Sequence, residues 1–246
     1  TGGTKGIGLE VCRQLLNEGC KVYTVARTLK SIKNAKFLLK KKKLFSAFQC
    51  NLLNEKDLKD LLMRFKNKKI NFDIIVHNVG GGIGIRDNHS SVDEWKKVWD
   101  FNVGIAIKLN NEFLPRMKKK KWGRVIHVSS NSAENDGNLW QPHGGSTPYS
   151  AAKAFLNNYV RNIGREYAKH NVVVSGLMPG VVLTKNKYWD LLRKKNKKKY
   201  LSHIKNFYPS GRFATPAEIA SFIVMMASKQ SSFINSSLIR IDGGSL

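Results

Sequence analysis

The sequence predicts an α/β fold built on one parallel, doubly wound sheet with helices on both faces. Three observations carry that prediction. Short β-branched runs alternate with longer amphipathic stretches, the pattern of βα units. A glycine cluster at Thr1–Gly8 stands directly ahead of a helical pattern, as a phosphate-cradling turn does. The 246 residues, 41% of them hydrophobic, suffice for one full core. No internal repeat or low-complexity linker divides the chain, so residues 1–246 read as a single domain.

Strands are predicted at Lys21–Ala26, Leu44–Gln49, Phe72–His77, Arg124–Ser129, Val172–Leu177 and Ser237–Ile241. Helices are predicted near Gly6–Glu18, Glu55–Lys66, Val92–Met117, Tyr149–Lys169 and Pro216–Ser228. Lys185–Asn206 is polar and basic, with an aromatic or apolar residue every few positions, and reads as a helical excursion or lid. A glycine-rich turn of this kind normally follows a central strand, and no strand precedes Thr1. The expectation is therefore a sheet whose first strand is missing from the N-terminus.

Composition narrows the function classes. No apolar run approaches bilayer length, and the start has neither a basic n-region nor an apolar h-region. Cys12, Cys20 and Cys50 have no metal-ligand spacing and form no even framework, so the expected setting is reducing and cytoplasmic, with no metal. The net charge of +26 has a functional reading, an acidic partner, and a bland one, lysine as a common surface residue. Lysine runs at 40–43, 118–121 and 194–199 are spread along the chain, which favours compositional bias over one patch.

Three local signals carry chemistry. Glycines 2, 6 and 8 in Thr1–Gly8 would let the backbone approach a pyrophosphate at a helix N-terminus. Tyr149 and Lys153 share one helix face at i,i+4, where an ammonium favours the phenolate and suits the tyrosine to acid–base work. Ser129-Ser130 ends a strong strand, at the edge where open α/β sheets bind ligands. Each signal alone is also explained by an ordinary turn, helix or strand end.

Taken in order, the set is far more specific. Thr1–Gly8, His77-Asn78-Val79-Gly80, Asn102, Ser130, Tyr149/Lys153, Pro179-Gly180 with Thr184, and Asp242-Gly243-Gly244 resemble the short-chain dehydrogenase/reductases over essentially the whole chain. The whole-chain pattern is most similar to the 3-oxoacyl-acyl-carrier-protein reductase-like branch. The resemblance implies a Rossmann-type domain and hydride transfer between nicotinamide and a carbonyl or alcohol carbon. It implies Tyr149 as proton donor or acceptor, Lys153 lowering its pKa and holding the nicotinamide ribose, Ser130 polarising the carbonyl, and Asn102 holding a relay water. It implies cofactor contacts from Gly2, Thr4, Lys5, Gly6, Ile7, Gly8, Arg27, Asn51, Leu52, Asn78, Gly80, Pro179, Gly180, Val182 and Thr184, besides Tyr149 and Lys153. It also implies a homodimer or homotetramer, with the two long helices as interfaces. Phe155, Leu156, Tyr159 and Ile163 would serve either that interface or the core.

The chain departs from the family pattern in several places. The segment Asn131–Pro148 is longer by about half a dozen residues, which makes Ser132 an alternative to Ser130 and brings Trp140 and His143 toward the substrate entrance. His77 and Val79 replace an asparagine and an alanine of N-N-A-G, and Asn51 stands where an aspartate often contacts adenine. The second strand ends Val25-Ala26-Arg27-Thr28 without the acid that pairs with the ribose 2′-hydroxyl of NAD. Arg27 offers a fork for a 2′-phosphate and Lys5 a second cation, so NADP(H) is expected over NAD(H). The basic lid, with Asp190 its one acid and Tyr188, Trp189 and Tyr200 among its aromatics, suggests an anionic or carrier-linked substrate such as a 3-oxoacyl thioester. A small neutral ketone, alcohol or sugar under a solvated lid is the alternative. The competing class is a non-catalytic binder of a polyanion such as nucleic acid, which would leave the proton relay without a purpose.

Overall fold

The computed structural model describes residues 1–39, 43–134 and 147–245. Six strands are present: β1 (Val22–Ala26), β2 (Phe45–Gln49), β3 (Ile74–His77), β4 (Gly123–Val128), β5 (Val172–Pro179) and β6 (Leu238–Ile241). All pair in parallel, β1 with β2, and β3-β4-β5-β6 in that order. Parallel strands covered on both sides read as continuous apolar runs, and every residue of β4 and β5 is buried.

Side chains of β4 alternate between two helical layers. Val125 joins Leu114, Met117, Leu156 and Val160 on one face. Ile126 and Val128 join Val11, Ile219, Ile223 and Met226 on the other. The first layer holds α3 (Glu55–Asn67), α4 (Val92–Trp99), α5 (Ile105–Lys120) and α6 (Thr147–Ala168); the second holds α1 (Gly6–Asn17), α2 (Leu29–Leu39) and α9 (Pro216–Ala227). This is the doubly wound arrangement that the sequence predicts.

No strand lies between β1 and β3 among the described residues. A cleft of about 820 Å³ separates them, walled by Val22, Tyr23 and Thr24 on one side and Ile74 and Val76 on the other. The Thr1 ammonium reaches across to the Val76 carbonyl at 2.7 Å. Among the described residues the strands thus form a two-stranded and a four-stranded group with that cleft between them.

Three elements differ from the sequence prediction. The helix expected over Val92–Met117 is two helices joined by a π-helical turn at Asp100–Gly104, and the second runs on to Lys120 through Pro115. Apolar periodicity passes through such a turn unchanged, so the sequence does not reveal it. The lid is two helices, α7 (Tyr188–Lys195) and α8 (Lys197–Phe207), divided at Asn196, whose side chain caps α8 at Lys199 N. Helix α2 is unforeseen because lysines interrupt its short apolar stripe of Ile32, Ala35 and Leu39.

The lid is built around its own aromatic cluster of Tyr200, Ile204, Tyr208 and Phe213, with Trp189 packed against it. Trp189 and Tyr200 thus face Phe213, at ring separations of 4.8 and 5.3 Å. On α6, Leu156 is core, Tyr159 and Ile163 are half-buried beside it, and Phe155 is 49% exposed. The three cysteines are free, and no described helix is long and apolar enough to cross a membrane.

Candidate active site

Parallel pairing brings the C-terminal ends of all strands to one edge, where the loops after them meet. The turn after β3 supplies Asn78–Gly81, the end of β4 supplies Ser129 and Ser130, and the start of α6 supplies Tyr149 and Lys153. Asn102 enters from the π-helical turn, a form that often marks functional sites.

Gly80 lies at the centre. A Cβ on it would stand 2.8 Å from Asn102 Oδ1 and 2.9 Å from Lys153 Nζ. Both groups occupy the space that any other residue would fill, close enough for one water to bridge them. Lys153 is 2% exposed, donates to the Val128 carbonyl at 2.8 Å, and holds its ammonium 5.7 Å from the Tyr149 ring centre. Tyr149 and Ser130 are hydrogen-bonded through their side chains. The Ser130 hydroxyl also meets Ser132 Oγ at 2.7 Å and accepts from Ser132 N at 3.2 Å. Ser132 is buried, and Ser130 is the serine whose hydroxyl meets the tyrosine. Trp140 and His143 lie outside the described residues.

Two refinements follow. The Asn102 carboxamide is largely committed, donating to Val98 O at 2.8 Å and Gly81 O at 3.0 Å while accepting from Gly81 N at 2.9 Å. It clasps the Gly80–Gly81 turn, and only its remaining oxygen lone pair can hold a water. Burial pushes the Tyr149 phenol up, against a smaller downward pull from Ser130. Burial also brings Lys153 down to about 7. A lysine so readily neutralised exerts little pull on the phenol, so the expected lowering by Lys153 does not offset the burial. A protonated tyrosine at neutral pH is the state suited to donating a proton.

Gly80→Ala should test this crowding. The added methyl displaces two side-chain ends rather than backbone, costing about 1–3 kcal/mol of stability. Misplaced reacting groups should cost turnover roughly 10²-fold. Thermal melting and steady-state rates read the two effects separately.

Beside Gly80 opens a pocket of about 430 Å³. The predicted residues Gly2, Thr4, Lys5, Gly6, Ile7, Arg27, Asn51, Leu52, Asn78, Gly80 and Thr184 all line it. The first turn of α1 opens onto it without an acid or a side-chain cap, leaving backbone N–H groups for an anion. Among the described residues Lys5, Arg27 and Lys187 are its cations, and no carboxylate lines it. The Thr28 and Ser31 hydroxyls, 2.8 Å apart, add neutral donors beside Arg27. These residues fit a phosphorylated nucleotide.

Gly8, Pro179, Gly180 and Val182 do not line that wall. Gly8 is a packing position: a Cβ there would stand 2.3 Å from the Gly2 carbonyl, so the glycine lets α1 leave the loop. Gly180 packs on Asp242, and Val182 bridges to Ala214 beside the lid. Asn78 braces the loop by donating to Thr1 O at 3.2 Å and Gly2 O at 3.4 Å.

Sequence reasoning did not single out Ser31, Lys187 or the brace on the catalytic turn. Asn131 Nδ2 donates to Ser245 Oγ at 2.8 Å, and Ser245 Oγ to Asp242 at 2.8 Å, tying the Ser130 turn to the C-terminal segment. The Asp242-Gly243-Gly244 motif was a signal for that segment, though not for its partner.

The short chain dehydrogenase family model matches residues 1–191. The 3-oxoacyl-[acyl-carrier-protein] reductase of Aquifex aeolicus is 28% identical, covering 99% of this chain and 94% of its own. The 7alpha-hydroxysteroid dehydrogenase of Paraclostridium sordellii is 26% identical, covering 99% and 89%. The L-sorbose reductase of Gluconobacter frateurii, solved with NADPH and L-sorbose, superposes with a TM-score of 0.88 at 26% identity, covering 100% of this chain and 94% of that one. With the family model matching well over half its length, the chain belongs to the short-chain dehydrogenase family.

Proposed function

We propose that this chain is an NADP(H)-dependent reductase that converts a carbonyl to an alcohol, and the reverse, with Tyr149 as general acid and base. The convergence of Asn102, Ser130, Tyr149 and Lys153 around Gly80, beside a cationic nucleotide pocket, carries the reading. When bound, NADPH supplies the hydride. Ser130 holds the carbonyl oxygen, and Tyr149 donates its proton to that oxygen as charge develops. Lys153, with a water shared with Asn102 Oδ1, resupplies the proton and holds the nicotinamide ribose.

NADP(H) is supported by Arg27 and Lys5 in a pocket with no carboxylate among its described lining residues, and by the NADPH complex of the L-sorbose reductase. Arg27→Gln should weaken NADPH binding roughly tenfold and leave NADH binding unchanged, since only the 2′-phosphate is lost as a partner. Fluorescence titration with each dinucleotide measures it.

For the substrate, the relatives favour a 3-oxoacyl thioester on an acidic carrier, and the basic lid supplies matching charge. A screen of carbonyls at 340 nm, at low and high salt, tests this. Carrier-linked substrates should lose efficiency with salt while neutral ketones do not; equal efficiency for both at all salt concentrations would count against electrostatic recruitment. The competing polyanion-binding reading rests on the same basic lid. It loses support because Trp189 and Tyr200 face the lid's own core instead of offering stacking platforms. Phe155, 49% exposed and in edge contact with Trp99 at 5.6 Å, is one apolar group that a homo-oligomer packed through α6 would cover.

A further inference from the structure

Thr184 and Lys187, at the root of α7, form the lid's share of the nucleotide pocket wall. The Thr184 methyl stands 3.2 Å from where a Cβ on Gly6 would be, so the root touches the glycine-rich loop at the start of α1. Lys187 N donates to Thr184 O at 3.1 Å, and Lys187 O accepts from Leu191 N at 2.9 Å. Its backbone is thereby fixed while its side chain is exposed.

Among the described residues no carboxylate pairs with that ammonium. The lid's acid, Asp190, is buried, and its carboxylate is taken by Asn186 N at 2.9 Å, Arg193 at 3.0 Å and Lys194 at 2.8 Å. Among the described residues Lys187 has no ion pair. The lid's other basic residues do not line the pocket, which separates Lys187 from a general coat of positive charge. Beyond this root, α7 and α8 are bound to each other through their aromatic cluster and can follow it as one unit.

We propose that Lys187 is a lid-borne cofactor-binding residue whose ammonium meets the dinucleotide's diphosphate, so that cofactor binding fixes the lid. The proposal rests on the NADP(H) reading above. The diphosphate is the partner because Thr184 abuts Gly6 at the N-terminus of α1, where backbone N–H groups and helix dipole already favour that charge. A ligand can shift the lid only through contacts that differ between its positions, and Lys187 supplies one.

The test compares wild type, Lys187→Gln and Arg27→Gln at one ionic strength. Nicotinamide fluorescence gives Kd for NADPH and NADH, and limited trypsin digestion, read at Lys194–Lys199, reports the lid. Lys187→Gln should weaken both dinucleotides by a similar factor, roughly 5- to 20-fold for the loss of a charge-assisted contact. Arg27→Gln should weaken NADPH alone. NADPH should protect the wild-type lid from trypsin, and at saturation should still protect the Arg27→Gln lid but not the Lys187→Gln lid. Wild-type affinity or full protection in Lys187→Gln overturns the proposal. A loss confined to NADPH overturns the diphosphate assignment. Wild-type protein that binds neither dinucleotide removes the cofactor reading itself.

Discussion

Tyr149→Phe should reduce turnover by roughly 10²- to 10⁴-fold while changing dinucleotide affinity little. The substitution keeps the ring, so the packing of Tyr149 against the apolar core survives. It removes the hydroxyl shared with Ser130, a proton donor placed beside that serine and Lys153. The pH dependence distinguishes this role from a packing role. Burial raises the phenol, so Tyr149 stays protonated through neutrality and reduction should be limited by its loss only in alkaline solution. Alcohol oxidation needs the deprotonated form and should accelerate as pH rises over that alkaline range. Residual activity in Tyr149→Phe should lack this opposed pair of limbs. Unchanged rates in both directions would remove Tyr149 from the chemistry.

Acid should unfold this protein unusually early because of two imidazoles beneath the site. His77 and His127 pair in register on β3 and β4 and stack at 4.5 Å. Asn110 joins them, its Oδ1 at 2.8 Å from His77 Nε2 and its Nδ2 at 3.4 Å from His127 Nε2 and 3.0 Å from the Tyr159 hydroxyl. Burial holds His77 down at about 3; burial, His77 and Lys153 hold His127 well below its ordinary value. Below about pH 6.5 the unfolded chain takes up protons that the folded chain refuses, so stability rises with pH across this window and falls as acid is added. The loss from His77 alone approaches about 5 kcal/mol near pH 3. His77→Asn keeps an amide able to meet Asn110 and removes the titrating ring. Urea melts at pH 7 and pH 4.5 should show the wild type losing more stability than the variant. Equal losses would mean that the stacked pair does not govern acid sensitivity.

Much of the site was legible because its residues sit at strand ends and helix starts whose patterns are local. Thr1–Gly8 leads into α1, Ser130 follows the buried run of β4, and Tyr149 and Lys153 are one turn apart. What was not legible depends on contacts distant in sequence. The choice of Ser130 over Ser132 needed the side-chain packing of that turn. The commitment of Asn102 to Gly81 needed the π-helical turn, which apolar spacing does not report. Lys187 is one lysine among many until the lid folds back on Gly6. His77 is a visible departure from the family motif, yet its partners lie on α5 and β4. The lysine-rich α2 was hidden because its charges blur the apolar stripe.

The most direct test of the central claim is binding of NADPH and NADH to the purified chain, followed by nicotinamide fluorescence. NADPH should bind saturably and at least roughly tenfold tighter than NADH, reflecting Arg27 and Lys5 in a pocket with no carboxylate among its described lining residues. Failure of both dinucleotides to bind a cooperatively folded sample, or a preference for NADH, would contradict it.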